Sequence, residues 1–175
     1  MTSADTIVLE KEEKTRESIP EPKYICFVCS GNTCRSPMAA AIFNSLEKKY
    51  IEKHPDKTRY FALSAGIFTA GGESISENAV LALESAGIES TPDNDYKRHL
   101  SRKLDAGIME NCEKIVGITG AHAMDIMFVY PAYASKVCCF ASDVSDPYGG
   151  DLERYIRCFD ELKKNIEEAF FPEES

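Results

Sequence analysis

Cys29 and Arg35, with five residues between them, open and close the core of the stretch Cys29-Ser30-Gly31-Asn32-Thr33-Cys34-Arg35-Ser36-Pro37. These residue types at this spacing could do chemistry on a phosphate. A phosphate is an electrophile whose negative charge repels ordinary nucleophiles. Arg35 can hold two of its oxygens bidentately and offset that charge. Loop amides and a helix dipole would favour the thiolate form of Cys29, which is the nucleophile. Attack would leave a phosphocysteine for water to hydrolyse. The bland alternative is that Cys29 is a small buried hydrophobe, the common fate of a free cysteine. It leaves Gly31, Asn32, Ser36 and Pro37 beside it unexplained.

Two elements must position this loop. Tyr24-Ile25-Cys26-Phe27-Val28 is an apolar run of strand length. Met38, Ala41, Ile42, Ser45 and Leu46 then fall on one helical face. Ser36 suits the N-cap and Pro37 the first helical position, where a missing N–H costs nothing. At such a strand–loop–helix joint the backbone N–H groups point into the loop, and the dipole adds partial positive charge. Ser30, Gly31, Asn32, Thr33, Cys34 and Ser36 are therefore expected to line a phosphate site.

Further along, residues 59–64, 114–118 and 136–140 read as three more strands. Helical patterns separate them. Ser74-x-x-Glu77 reads as a capping box. Ile75, Ala79, Leu83 and Ala86 form the apolar stripe of the helix it would start, and Gly87 suits its end. A helix is expected over about 121–128. Leu152, Tyr155, Phe159, Leu162, Ile166 and Phe170 give the last helix a clear amphipathic face. Alternating strands and helices predict a single α/β domain, a four-stranded parallel sheet with helices on both faces. Loops after the strand C-termini then gather at one edge, where ligands bind. Cys29 and Asp146 both follow strand ends. A carboxylic acid there could protonate a leaving group. Asp146, rigidly linked to Pro147, and Asp143, three residues earlier, are the candidates.

The 175 residues suit one domain over 23–175, preceded by a charged tail over 1–22 expected to be mobile. A formal net charge of −9 argues against nucleic acid as a partner. No apolar run is long enough to span a bilayer, and no signal-peptide pattern is present. Seven cysteines, an odd number without a secretory signal, fit reduced thiols in a cytoplasm. No spacing suggests a zinc site, and the chemistry above needs no metal or cofactor. Phe68, in a loop rich in glycine, could wall a pocket or pack in the core. By type alone, His99 would be a surface or satisfied core residue, and His54 and His122 surface residues.

The stretch Val28 to Met38, together with Asp146-Pro147-Tyr148, resembles the signature of the low-molecular-weight protein-tyrosine phosphatases: C-x-G-N-x-C-R-S-P near the N-terminus and Asp-Pro near the C-terminus. The resemblance runs from about Lys23 to Phe170. It implies Cys29 as nucleophile, Arg35 as phosphate ligand, Asp146 rather than Asp143 as general acid, and phosphorylated proteins as substrates. It also implies that His99 braces Asn32, with Ser36 and Ser64 in the same network. Tyr148 would line the pocket mouth. Gly149-Gly150 follows it, so the tandem tyrosines of many eukaryotic members are absent. In the family, the cysteine matching Cys34 can form a reversible disulfide with the nucleophile.

The family default is hydrolysis of phosphotyrosine. The alternative is a protein-arginine phosphatase, because Thr33 stands where tyrosine-specific members commonly carry Ile or Leu and the arginine-specific group carries Thr. Arsenate reductases share the loop but need two further cysteines in a mobile segment. Here Cys112 stands alone and Cys138-Cys139 falls in an expected strand. A phosphate-binding module without catalysis would need neither thiolate nor acid.

Overall fold

The apolar run before the loop forms a strand, β1 (Lys23–Cys29), whose last five residues are buried. Side chains alternate across it with period two. Ile25, Phe27 and Cys29 enter one core cluster, and Cys26 and Val28 enter another. β1 is therefore buried on both faces, which is what a central parallel strand requires. The computed structural model describes residues 20–173. Residues 1–19, most of the expected tail, lie outside the described residues.

The remaining strands are β2 (Tyr60–Gly66), β3 (Cys112–Gly117) and β4 (Val137–Cys139). All pairs are parallel, in the order β2-β1-β3-β4. Five helices accompany them among the described residues: α1 (Arg35–Lys53), α2 (Glu77–Ser85), α3 (Ala106–Asn111), α4 (Gly120–Val129) and α5 (Leu152–Phe170). The larger cluster joins β1 to α1, α2 and α5 through Phe27, Phe43, Leu83, Leu162 and Ile166. Phe27 has no exposed surface, and its ring centroid lies 5.9 Å from those of Phe43 and Phe140. Its truncation to alanine would cost about 3–5 kcal/mol. Met109 of α3 and Ile126 of α4 pack on the opposite face with Cys26, Val28 and Ile115. No described helix is long and apolar enough to cross a membrane.

The expected fold class is the observed one, with three local corrections. First, α1 begins at Arg35 rather than after Ser36, and Pro37 is its third residue. The Ser36 hydroxyl caps nothing because the loop itself uses it. Second, the capping box at Ser74 does not form. Ser76 occupies the N-cap of α2 without a side-chain bond, and its hydroxyl donates to Tyr155 Oη at 3.0 Å. Third, Ala86 is exposed and leaves the α2 stripe to Ala79, Ala82 and Leu83. Sequence patterning also missed α3, a single short turn capped by Asp105 Oδ1, which accepts from Ile108 N at 2.8 Å.

The strand C-termini open onto one edge. β1 runs into the phosphate loop, β3 into Thr119, and the chain after β4 leads to Asp146. After β2 the chain folds back so closely that a Cβ at Gly66 would lie 2.8 Å from Ser30 O. Only glycine permits that approach. It brings Ile67 N to Cys29 O and Phe68 N to Ser30 O, both at 3.0 Å.

Candidate active site

The loop turns on Asn32. Its φ of +58° places it in the left-handed region, unusual for a residue with a side chain. Asn tolerates this better than most, and four hydrogen bonds hold it there. Nδ2 donates to Ser36 Oγ at 2.9 Å and to Ser64 Oγ at 3.0 Å. Oδ1 accepts from Arg102 N at 2.9 Å. Its backbone carbonyl accepts from His99 Nε2 at 2.8 Å, so that ring nitrogen carries the proton. Asn32 and Ser36 have no exposed surface. Burial pushes the His99 imidazole below its ordinary value. His99, Ser64 and Ser36 thus converge on Asn32, and the Arg102 amide joins them.

This geometry aims donors at the Cys29 sulfur. Asn32 N donates to Cys29 Sγ at 3.3 Å. Ser36 Oγ lies 3.0 Å from the same sulfur; it accepts from Asn32, and its one proton serves both Cys29 Sγ and Ala65 O, the latter at 3.4 Å. Cys29 is 3% exposed. No side chain caps α1, so the first amides of that helix remain open to the loop.

Arg35 is buried to 8% exposure, and its guanidinium reaches the loop after β4. Nη2 lies 3.1 Å from Asp146 Oδ2, and Nη1 donates to Val144 O at 3.4 Å. The other oxygen of Asp146 accepts from Tyr148 N at 3.1 Å, an Asx turn that fixes the carboxylate. Asp143 is placed differently. Its Oδ1 accepts from Gly120 N at 2.8 Å, at the start of α4. Of the two candidate acids, Asp146 is the one ion-paired to Arg35, while Asp143 serves a backbone amide.

Phe68 and Tyr148 are 71% and 77% exposed. The core reading of Phe68 is therefore wrong. It stands beside the nucleophile loop, held through its amide. Thr33 is half-buried, and its Oγ1 lies 3.7 Å from Cys34 Sγ. Cys34 is buried, and Tyr155 Oη lies 3.2 Å from its sulfur. Because Tyr155 Oη accepts from Ser76, its own proton can point at Cys34. Burial is the largest cause that pushes the Tyr155 phenol up to about 12. Both Cys29 and Cys34 are free thiols.

Sequence reasoning missed His122. It is 6% exposed rather than a surface residue, and its Nε2 lies 3.1 Å from Ser30 Oγ. Burial and then the Arg35 charge lower its pKa. The one local signal was Thr119, which caps α4 by accepting from His122 N at 3.2 Å. Nothing local tied His122 to a loop 92 residues away. His54 is half-buried, its ring 4.5 Å from that of Tyr50.

A model of the low molecular weight phosphotyrosine protein phosphatase family matches residues 24–173. A protein-arginine-phosphatase of Geobacillus stearothermophilus is 33% identical over 153 residues, covering 83% of this chain and 93% of that protein. An arsenate reductase of Halalkalibacterium halodurans is 31% identical over 147 residues, covering 82% of this chain and 92% of that one. The crystal structure of a low molecular weight protein tyrosine phosphatase from T. tengcongensis superposes with a TM-score of 0.73 at 32% identity. It covers 83% of this chain and 95% of its own. With the sheet order, the loop and the match over 24–173 in agreement, the chain belongs to the low-molecular-weight phosphotyrosine protein phosphatase family.

Proposed function

We propose that this protein is a cysteine-dependent protein phosphatase that prefers phosphoarginine over phosphotyrosine. The observation that carries the preference is Thr33. A phosphoarginine side chain is planar, polar and rich in N–H donors, so a hydroxyl suits it better than a methyl-rich wall. Thr33 is partly exposed, and among the described residues its hydroxyl has one partner, the weakly bonding Cys34 Sγ at 3.7 Å. That leaves the hydroxyl available. The 33% identity to a protein named as an arginine phosphatase supports the same reading.

The steps follow from the residues. Arg35 turns from Asp146 to the phosphoryl oxygens, and the loop amides hold the others. Cys29 Sγ attacks phosphorus. The S–P bond forms as the P–N bond breaks, and Asp146 delivers a proton to the departing guanidine nitrogen. Asp146 then takes a proton from water as that water attacks phosphorus. The S–P bond breaks, phosphate leaves, and the thiolate is restored. For phosphotyrosine the same sequence breaks a P–O bond.

Phosphotyrosine is the second reading, and the exposed rings of Phe68 and Tyr148 favour it, since either could stack on a phenol. Arsenate reduction is disfavoured. Cys112 is buried at the start of β3, and Cys138 and Cys139 lie in β4, so no second pair stands in a loop near Cys29 among the described residues. The deciding experiment is Thr33→Ile assayed on phosphoarginine and phosphotyrosine peptides. The ratio of kcat/KM values should swing toward phosphotyrosine by roughly ten-fold, about what one pocket contact provides. An unchanged ratio would remove Thr33 from substrate choice.

A further inference from the structure

The nucleophile and the acid sit on different loops, and one short segment touches both. Thr119 to His122 carries the chain from β3 into α4. On one side, His122 Nε2 meets Ser30 Oγ at 3.1 Å, at the residue after the nucleophile. On the other, Gly120 N donates to Asp143 Oδ1 at 2.8 Å, three residues before the acid. The segment is itself well fixed. Thr119 Oγ1 lies 3.0 Å from His122 Nδ1 and accepts from His122 N, so both ring nitrogens are engaged. Each hydroxyl can donate or accept, so either tautomer of the neutral ring keeps both bonds. A Cβ at Gly117 would lie 2.6 Å from Ala123 N, so only glycine there lets α4 close onto the sheet.

We propose that the segment Thr119–His122 registers the acid loop against the nucleophile loop, with His122 and Asp143 as positioning residues. His122 orients the first residue of the phosphate loop through Ser30. Asp143 anchors the chain that presents Asp146. The inference rests on the reading of Cys29 as nucleophile and Asp146 as acid. It explains why a second aspartate lies near the site without facing Arg35. It also explains why a buried histidine stands beside the arginine that must bind phosphate. A misplaced group of about 1 Å can cost up to about 10²-fold in rate, so such anchors have kinetic weight.

The two anchors predict different defects, measured with p-nitrophenyl phosphate and phenyl phosphate as good and poor leaving groups. Asp143→Ala removes the acid loop's tie to the start of α4, while Ser145 stays bonded to Glu161. It should lower kcat on phenyl phosphate by about ten-fold or more and change p-nitrophenyl phosphate by about two-fold at most. Asp143→Asn keeps an oxygen acceptor for Gly120 N and should stay within about two-fold of the parent on both. Ser30→Ala and His122→Leu break the other anchor. Each should lower kcat/KM about ten-fold on both substrates alike, and the double variant should be no worse than the worse single one, since both remove one bond. If His122→Leu does not fold, Ser30→Ala alone must show the uniform loss. An equal loss on both substrates from Asp143→Ala, or additive losses from Ser30 and His122, would overturn the inference. So would an Asp143→Asn as impaired as Asp143→Ala. Failure of the underlying reading would look different: turnover would survive Cys29→Ser.

Discussion

The phosphate loop and the acid loop are built in opposite ways. In the first, Asn32 and Ser36 have no exposed surface, and the polar atoms of Asn32 all have partners, within the loop and on two other segments. In the second, the Asp146 side chain is 56% exposed, and its ties are one ion pair and one turn bond. The nucleophile side is folded like a core, at the expense of a left-handed asparagine. The Asp146 side is a more exposed loop, tied to Arg35, to the start of α4 and, through Ser145, to Glu161 of α5, with Val144 buried in the core. The difference fits the tasks proposed for them. Oxyanion binding requires donors fixed in advance, whereas an acid must reach a leaving group that varies with substrate.

Perturbing the two loops in turn should separate these designs. Cys29→Ser should abolish turnover while inorganic phosphate still binds, because Arg35 and the loop amides remain. Turnover near the parent level would refute the mechanism. Asp146→Asn should slow poor aryl leaving groups by roughly 10²–10⁴-fold, good ones less, with stability changed by no more than about 0.5 kcal/mol. Uniform loss across leaving groups would deny Asp146 the acid role. Asn32→Ala should reverse that pattern and destabilise the fold by about 1–3 kcal/mol, since it strips partners from two buried serines and the Arg102 amide. Urea unfolding of the two variants compares them directly, and equal stabilities would erase the contrast between the loops.

The smallest effect concerns pH. Burial holds His99 and His122 below the ordinary value of 6.5. The unfolded chain therefore binds more protons than the folded one between 6.5 and the folded values. Stability should be full above that window and fall as pH drops through it. Unfolding midpoints at about pH 7.5 and about pH 5.5 should show the decline. His122→Gln should lessen the slope, and an unchanged slope would remove His122 from the account.

Much of this was legible because chemistry and pattern coincide locally. The run Tyr24–Val28, the loop residues and the stripe of α1 are contiguous, so one reading places strand, loop and helix together. The choice between the two candidate acids was harder. Asp143 and Asp146 differ by three residues, and only the fold shows that one faces Arg35 while the other faces Gly120. Helix starts failed at hydroxyls. Ser36 looks like an ordinary cap, but it serves Cys29 and Asn32. The box expected at Ser74 gives way to an N-cap at Ser76, whose hydroxyl serves Tyr155 instead of the helix. His122 was unreadable for the same reason, since burial comes from α4 closing onto β3 and nothing beside it in the chain announces that.

The most direct test of the central claim is to trap the intermediate. In Asp146→Asn, which lacks the base proposed for the second step, a phosphopeptide substrate quenched rapidly in acid should leave one phosphoryl group on the protein. Peptide mass analysis should place it on Cys29, and Cys29→Ala, which has no side-chain nucleophile there, should carry none. Turnover without any phosphorylated Cys29, or with the group on another residue, would contradict the account.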